Sequence, residues 1–368
     1  MNEKTQPCTH CGAVHPRVNL TWMGSAELCP ECLQRYTVCC DCCGERIWMA
    51  NDYGTHYLHL CASCRADNYV TCENCGALIP QEDAHYNDED EAYCDSCYER
   101  GYGGTIHNYS YKPEPIFYGD GPLYLGVELE VDEAGKDNIN AVQALRAFNQ
   151  ENVYGYVKSD GSLNDGFELV THPCTLETHL QQVPWRETLE ALRGMGYRSH
   201  APGTCGLHVH VSRKALGKDV YEQEETIAKL LYIFERFWQE ILRFSRRTES
   251  QINHWAARYG YKDRGEKILK EAKHGANGRY ACINLTNTDT IEFRVFRGTL
   301  KYNTVIATLQ FVANLCRVAI SLPEYRIQEF SWPALIEALT QDNCPELVQY
   351  LKERNLYVNE PVTAEREV

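Results

Sequence analysis

The stretch Leu123–Asp132 reads LYLGVELEVD, in which apolar residues alternate with two glutamates. Glu128 and Glu130 have aliphatic neighbours on either side, and a period of two predicts a β-strand with one apolar face and one acidic face. Glutamate is uncommon in strands, and carboxylates on one face repel each other unless positive charge lies between them. The stretch therefore predicts a strand whose acidic face binds something positive.

Three later segments repeat this alternation with side chains that can bind metals. They read GFELV at 166–170, LHVHV at 207–211 and IEFRV at 291–295. Carboxylate oxygens in this number favour Mg²⁺ or Mn²⁺, with imidazole as a minority ligand. The alternative is that each polar face is simply exposed to solvent. If the four strands form one sheet, its apolar side packs on helices and its other side collects Glu128, Glu130, Glu168, Glu292, His208 and His210.

Length and composition indicate a folded protein of two or three domains. The chain has 368 residues, of which 43% are hydrophobic, and a formal net charge of −15. That charge disfavours nonspecific binding to nucleic acid, because phosphate contacts need clustered Lys and Arg. The amino terminus, MNEKTQPCTHCG, has no signal-peptide core, and no apolar run approaches the length of a membrane span. We therefore expect a cytoplasmic protein with no membrane partner.

Cysteine is concentrated near the amino terminus. Fourteen of the nineteen cysteines lie within residues 8–97. In a protein without an export signal, such clustering favours metal binding over disulfides. Each of three repeats contains C-x-x-C-G followed by a second C-x-x-C, which predicts three structural Zn²⁺ ions, one in a tetrahedral Cys₄ site in each repeat. The predicted zinc ligands are Cys8, Cys11, Cys29, Cys32, Cys40, Cys43, Cys61, Cys64, Cys72, Cys75, Cys94 and Cys97.

The repeats predict three small modules at residues 1–36, 37–68 and 69–100, which resemble zinc ribbons and treble clefs. Cys39 and Cys42 duplicate one cysteine pair one position out of phase, so spacing alone leaves the choice open. Alignment with the other repeats favours Cys40 and Cys43. Residues 1–100 contain sixteen Asp and Glu against six Lys and Arg, so a structural or protein-docking role is favoured over DNA binding.

The remainder of the chain predicts a linker and one larger domain. Residues 101–120 are rich in Gly, Tyr and Pro and predict the linker, and residues 121–360 predict the domain. Strands that alternate with helices favour a mixed α+β architecture with helices on one face of the sheet. Apolar residues at helical spacing predict helices over 138–149, 182–195, 221–244, 304–320 and about 333–352.

A polar loop precedes the second acidic strand. It reads VKSDGSL at 157–163, and its Asp-Gly pair predicts a tight turn between two strands. Lys158, Asp160 and Ser162 would then lie over the acidic face. The loop therefore extends the group of polar side chains that the sheet collects.

Taken in order, GVELE, KSDGSL with GFELVTHP, CGLHVHV and TIEFRVFRGTL resemble the motifs of the amidoligase family, within the glutamine synthetase and glutamate–cysteine ligase superfamily. The resemblance covers about 123–320 and excludes the cysteine-rich modules. It implies a glutamine-synthetase-like domain with a curved antiparallel sheet. It also implies an ATP-dependent carboxylate–amine ligase that works through an acyl phosphate with two or three Mg²⁺ ions. The amine and carboxylate substrates can include a peptide or protein.

The resemblance implies roles for most candidate residues. Arg294 would contact the transferred phosphate. Asp160, from its position on the loop, would help to deprotonate the amine, with Lys158 as the third candidate catalytic residue. Each arginine has a salt bridge within the site as its alternative. The implied Mg²⁺ ligands are Glu128, Glu130, Glu168, His208 and Glu292. The implied contacts to metal or nucleotide phosphate are His208 and His210, and the implied contacts to phosphate or substrate carboxylate are Arg279 and Arg297.

Two other functions fit the same residues. A metal-dependent hydrolase would use the histidines and glutamates to activate water and would turn over without ATP. A catalytically inactive adaptor would bind partner proteins through its zinc modules and would hydrolyse no nucleotide. Cys205, beside Gly206, is explained more simply as a small residue at a tight turn than as a nucleophile. The sequence leaves the identity of both substrates and the oligomeric state open.

Overall fold

The chain divides into two compact units, Met1–Gly104 and Thr105–Val368. The computed structural model describes residues 5–87, 90–99, 104–274 and 278–357. Residues 100–103, where the third predicted module meets the predicted linker, lie outside the described residues, as do 358–360 at the predicted end of the larger domain. Each unit is described by itself.

The first unit consists of three similar modules built from short antiparallel hairpins and one helix each. The helix begins directly after the third metal-type cysteine, as at Cys29, where Pro30 occupies the first helical turn and Cys29 itself has extended backbone angles. The paired strands are Thr5–Pro7 with Val14–Pro16, Thr21–Met23 with Ala26–Leu28, Thr37–Cys39 with Arg46–Trp48, Tyr69–Thr71 with Leu78–Pro80, and His85–Tyr86 with Ala92–Tyr93. The helices are Pro30–Tyr36, Ala62–Asn68 and Asp95–Glu99.

Each module has a very small buried core in which thiols predominate. In the first module, Leu28 is buried with three cysteines, and in the second module Leu60 is buried with three cysteines. In the third module, Ile79 and Tyr93 are buried with two. So little apolar area cannot offset the conformational entropy of folding, so small domains of this kind depend on a metal or on disulfides.

The second unit contains a seven-stranded sheet in the order β1-β3-β4-β2-β5-β7-β6. Its strand pairs are antiparallel except for β1 with β3, which is parallel. The four segments predicted as acidic strands are neighbours at its centre. The strands are β1 Ile106–His107, β2 Leu125–Val131, β3 Gly155–Lys158, β4 Phe167–Thr171, β5 Leu207–Ser212, β6 Ile283–Asn284 and β7 Thr290–Phe293.

Helices pack on the apolar face of this sheet and share one buried core with it. Two predicted long helices are each interrupted. The first breaks at Phe237, and the second breaks before Pro345, because proline begins a helix but cannot continue one. The helices are α1 Asn138–Phe148, α2 Leu176–Gln181, α3 Trp185–Gly194, α4 Val220–Arg236, α5 Trp238–Ser245, α6 Glu249–Trp255, α7 Gly265–His274, α8 Tyr302–Ser321, α9 Glu324–Glu329, α10 Trp332–Leu339 and α11 Pro345–Glu353.

Helix α8 differs from the prediction that no apolar run approaches membrane-spanning length. It has 20 residues and is long and apolar enough to cross a membrane, unlike any other helix in the described ranges. However, 83% of its apolar window is buried inside the unit. Its side chains pack against α11 and the sheet, so α8 is the central helix of the core.

Two connections differ from the expected pattern. Strand β1 lies in the segment predicted as a linker and pairs with the end of β3, where the Ser159 amide also donates to the His107 carbonyl. The Asp-Gly pair does not form a two-residue hairpin, because residues 159–166 make a longer loop between β3 and β4. Asp132 holds this loop in place. Its carboxylate accepts hydrogen bonds from the backbone amides of Asn164 and Asp165 at 3.1 and 2.7 Å.

Candidate functional site

The register of the sheet brings the predicted carboxylates and imidazoles onto one face. Glu128 lies opposite His208, Glu130 lies opposite Glu168, and His210 lies opposite Glu292. The alternate residues of the same strands, Val127, Leu129, Val131, Leu169, Leu207, Val209 and Ile291, are fully buried in the core. Strand alternation therefore separates an apolar face from a polar one across four adjacent strands.

The two imidazoles lie among the carboxylates at close distances. His208 Nδ1 is 3.3 Å from Glu128 Oε2 and 3.5 Å from Glu292 Oε1. His210 Nε2 is 3.2 Å from Glu128 Oε1 and 4.0 Å from Glu292 Oε1. Imidazole nitrogens and carboxylate oxygens at these separations are arranged as they would be around a shared cation.

The ligand atoms form two overlapping sets. One set contains Glu128, His210 and Glu292, and the other contains Glu128, Glu168 and His208, with the atoms of each set within 4.8 Å of one another. Neighbouring ligands of an octahedral Mg²⁺ are about 3.0 Å apart, since its bonds are about 2.1 Å long. The spacing of 3.2 Å between His210 Nε2 and Glu128 Oε1 fits that geometry. The donor types and spacing therefore suit two neighbouring divalent cations that share Glu128.

Glu130 has a different environment from that of a ligand in these sets. Its Oε2 accepts the Gly206 amide, and its Oε1 is 3.8 Å from His208 Nδ1. Burial raises the pKa of Glu130, although His208 opposes that effect. Glu130, predicted as a metal ligand, thus braces the start of β5 and lies outside the two ligand sets. His210, predicted to contact metal or nucleotide phosphate, lies in one of them.

Two further carboxylates differ in their protonation behaviour because their neighbours differ. Burial alone would raise the pKa of Glu128, but His210 and His208 outweigh it and hold that pKa well below its usual range. Burial and the neighbouring Glu128 raise the pKa of Glu168 well above its usual range, although Lys158 Nζ lies 3.4 Å away. Crowding of carboxylates on this face thus opposes ionisation of Glu168, and a bound cation would favour it.

The polar face forms the floor of a cavity of about 1530 Å³. Lys158 reaches it from the end of β3, and Asp160 reaches it from the loop 159–166, where the Ser162 amide donates to Asp160 Oδ1 at 2.7 Å. Arg294 also lines it and donates from Nη1 to Glu292 Oε1 at 2.5 Å. A volume above the usual 300–1,000 Å³ of small-molecule sites leaves room for more than one substrate.

The other two predicted arginines, Arg279 and Arg297, lie in different places. Arg279 lines the cavity from an exposed position, with its guanidinium 4.9 Å from the ring centre of Tyr280 and 5.9 Å from that of Tyr109. Arg297 is not among the described residues that line the cavity. Its Nη1 donates to the Arg246 carbonyl at 3.5 Å, so it caps the end of α5.

Two residues of the site were missed by sequence analysis. Asn284, on the two-residue strand β6, is buried and donates from Nδ2 to Glu292 Oε2 at 2.8 Å. Arg247, after α5, lines the cavity and is buried. Neither residue lies in a periodic pattern. An Arg-Arg pair directly after a predicted helix is the one sequence signal that pointed towards Arg247.

The cysteines of the first unit form three compact clusters. Sulfur–sulfur distances across them are 3.8 Å for Cys11 with Cys29, 3.8 Å for Cys43 with Cys61, and 3.9 Å for Cys75 with Cys94. A tetrahedral zinc with bonds of about 2.3 Å separates its sulfurs by about 3.8 Å. The clusters are Cys8, Cys11, Cys29 and Cys32; Cys40, Cys43, Cys61 and Cys64; and Cys72, Cys75, Cys94 and Cys97.

Local backbone supports thiolates in these clusters. The Cys11 amide lowers the pKa of Cys8 to about 6, and the Cys43 amide does the same for Cys40. Gly12, Gly44 and Gly76 follow the first cysteine pairs with φ between 70° and 76°, which lets the amides turn towards sulfur. Neither Cys39 nor Cys42 joins a cluster within the described ranges. The geometry therefore selects Cys40 and Cys43.

Comparison with known proteins finds a family match within the second unit. Residues 146–316 match the model of a family described as "Putative amidoligase enzyme". This region is therefore similar to the amidoligase family. The match includes Glu168, His208, His210, Glu292 and Arg294, while β2 with its two glutamates lies before it. No curated protein matches the chain.

Two solved structures show remote similarity to this chain. A bifunctional glutathione synthetase from Pasteurella multocida is 15% identical, with a TM-score of 0.31, and the alignment covers 63% of this chain and 46% of that one. A complex between the prokaryotic ubiquitin-like protein Pup and its ligase PafA gives 10% identity, a TM-score of 0.30, and coverage of 63% and 62%. The chain thus spans less than two thirds of the length of either structure.

Proposed function

We propose that the chain is an ATP-dependent carboxylate–amine ligase that forms an amide or isopeptide bond through an acyl phosphate. The observation that carries this proposal is the pair of overlapping ligand sets that share Glu128 on the floor of a cavity lined by Arg294. Ionised carboxylates repel a nucleotide triphosphate unless divalent cations lie between them. An acidic face of this kind therefore favours a metal-bound nucleotide as ligand.

The residues present fit Mg²⁺ by donor type and spacing. Glu128, His210 and Glu292 would hold one ion, and Glu128, Glu168 and His208 would hold another. When bound, the ions neutralise phosphate charge and polarise the phosphorus that is attacked. Asn284, through its bond to Glu292, and Lys158, through its pair with Glu168, keep the two outer carboxylates in position.

In the first half-reaction, an oxygen of the substrate carboxylate attacks the γ-phosphorus of ATP, a substrate here. The bond between that phosphorus and its bridging oxygen breaks, and ADP leaves with the electron pair. Arg294 is placed to donate to the transferred phosphoryl oxygens, because only one of its nitrogens is occupied by Glu292 and its buried Nε has no partner within the described residues.

In the second half-reaction, the amine attacks the carbonyl carbon of the acyl phosphate and inorganic phosphate leaves. The nitrogen must lose a proton, and the Asp160 carboxylate on the loop 159–166 is the base that we propose for it. Ser162 holds this carboxylate in place through its amide. The carboxylate is regenerated when it passes the proton to solvent.

We also propose that the three cysteine clusters hold structural zinc. The sulfur separations of 3.8 to 3.9 Å support that assignment. The modules then serve either as structural elements or as a docking surface for a macromolecular substrate. Their acidic composition disfavours nucleic acid as that partner.

The test is ATP turnover by the full chain with Mg²⁺ across pooled amines and carboxylates, with products identified by mass spectrometry. We expect an ATP-dependent gain of one amide bond per ADP formed, and its loss in Glu130→Gln, which removes the negative charge beside His208 but keeps an oxygen that can accept the Gly206 amide. Product formation without ATP would support the hydrolase instead. Absence of ADP under every condition would support the inactive adaptor.

A further inference from the structure

Two adjacent arginines after helix α5, Arg246 and Arg247, have their side chains in different surroundings. Arg246 has a left-handed backbone with φ of 63°, so the chain reverses direction there. The Arg246 side chain lies 3.3 Å from His200 Nδ1, and Arg246 is not among the described residues that line the cavity. Arg247 enters the cavity, where its side chain was not expected from the sequence. The pair thus offers a candidate residue and a matched control.

Arg247 is buried without the partners that a guanidinium normally has. It is 5% exposed, and neither Nε nor Nη1 has a hydrogen-bond partner in the part of the chain that the structure describes. A buried charged donor without a partner costs free energy, so such groups occur where a ligand supplies the missing acceptor. Arg247 therefore has donors available for an anion inside the cavity.

The surroundings place this guanidinium next to the candidate metal ligands. A Cβ atom added at Gly206 would lie 2.7 Å from Arg247 Nη2 and 2.4 Å from His208 Nε2. A single glycine thus leaves the space in which the guanidinium and the imidazole approach each other. Any larger residue at position 206 would displace one of them.

The charges around Arg247 also favour an anion. Burial, together with the neighbouring Arg294 and Arg297, lowers the pKa of Arg247 to about 10, although Glu130 opposes this. Glu130 already accepts the Gly206 amide. An oxyanion bound close to neighbouring guanidiniums offsets their mutual repulsion.

We propose that Arg247 binds an oxyanion of the reactants opposite Arg294. The identity of that oxyanion rests on the proposed ligase function, which supplies two sources of one chemistry, the phosphoryl group of the nucleotide and the carboxylate of the acceptor. Bidentate donation from a planar guanidinium suits both. In the free protein, Arg247 serves as counter-charge for Glu130.

The test is titration calorimetry on the full, zinc-loaded chain in Mg²⁺, with inorganic phosphate in one series and acetate in the other. Arg247→Gln is expected to weaken binding of at least one anion by about tenfold or more, since a charge-assisted hydrogen-bond pair is lost. Arg247→Lys keeps the charge without the bidentate geometry and should recover part of the affinity. Arg246→Gln should stay within about twofold of wild type.

The outcomes separate the sources and the competing explanation. Loss of phosphate binding alone assigns Arg247 to the phosphoryl group, and loss of acetate binding alone assigns it to the carboxylate. Unchanged affinities with lowered thermal stability, or a wild type that binds neither anion, overturn the inference and leave Arg247 as a counter-ion. If Arg247→Gln does not fold, Arg247→Lys decides by the same comparison. Because binding needs no turnover, an anion-binding chain without ligase activity would disprove only the proposed function.

Discussion

Both units bring negatively charged ligand side chains into clusters, but their hydrophobic cores are of opposite kinds. In the first unit, the cores contain one or two apolar side chains beside the cysteines. In the second unit, the acidic face lies on a continuous core with fully buried Trp185, Tyr197 and Phe148. Burial of such side chains contributes about 1.5–3 kcal/mol each. We therefore expect the first unit to need bound ions in order to fold, whereas the second can hold charged ligands together before any ion binds.

The largest effect is expected from removing metal from the whole chain. A structural zinc contributes on the order of 10 kcal/mol to a small module, so a strong chelator should unfold residues 5–99 and leave the second unit folded. Limited proteolysis with mass spectrometry should then show cleavage confined to the first unit. Protection of both units after complete zinc removal would contradict the contrast between the cores.

The same contrast can be sharpened at one pair of cysteines. Cys40→Ser should reduce bound zinc from three ions per chain to two, while the matched change Cys39→Ser should leave three, since only Cys40 lies in a cluster. Zinc content by mass spectrometry of the purified protein measures this. The reverse result would show that the alternative cysteine pair binds.

The next effect concerns the ligand shared by both sets in the second unit. Glu128→Gln removes one charged ligand from each, so we expect at least about a hundredfold loss of ligase turnover and weaker Mn²⁺ binding at both positions. The fold should persist, because the core lies on the other face. Glu353→Gln, which removes a surface partner of Lys301, is the control with unchanged turnover. Unfolding of the Glu128 variant would mean that the face is structural.

A smaller effect is expected from pH on the free energy of unfolding of the second unit, through His179 in helix α2. His179 is buried, with Nε2 3.1 Å from the Leu125 carbonyl and Nδ1 accepting the Trp185 indole N–H at 3.3 Å. Burial lowers its pKa to about 4. Because the unfolded chain takes up the proton near pH 6.5 and the folded chain only near 4, the stability present above pH 6.5 is lost as pH falls through this window.

The measurement is urea unfolding of the second unit in the full chain at pH 7.5 and pH 5. Wild type should lose about 2 kcal/mol more than His179→Gln, which keeps a donor and an acceptor but does not titrate. Equal losses in both proteins would show that another group controls the pH dependence.

The smallest effect is expected at Cys205. Its side chain is 1% exposed, and burial raises its pKa, so little thiolate forms near neutral pH. Cys205→Ala should keep turnover within about twofold, measured as ADP release. A loss of more than an order of magnitude would make the thiol a reactant.

The sequence predicted those features that depend on local spacing. The cysteine pairs and the alternation around Glu128 are periodic signals within a few residues, and both appear in the structure as clusters and neighbouring strands. The contact of Glu130 with Gly206 joins residues far apart in sequence and depends on strand register. The direction of Arg247 depends on a left-handed arginine before it, for which no residue preference exists.

Helix ends were predictable only where proline or a capping residue marks them. Pro345 could have divided the last predicted helix, since it begins a helix and follows Cys344. The break at Phe237 has no such signal, because helical periodicity continues through it from Val220 to Ser245. Strand β1, with only two residues, is too short for any period to show.

Asp132 has a consequence for how the second unit fails. This one carboxylate, at the end of β2, fastens two separate segments: the loop that carries Asp160, through the Asn164 and Asp165 amides, and Thr204 beside the start of β5, through its hydroxyl at 2.9 Å. Loss of the Asp132 carboxylate would therefore loosen both cavity-lining segments together, the loop 159–166 and the stretch before β5. We then expect the proposed binding of the amine and of the nucleotide to weaken in parallel, although neither ligand would contact Asp132.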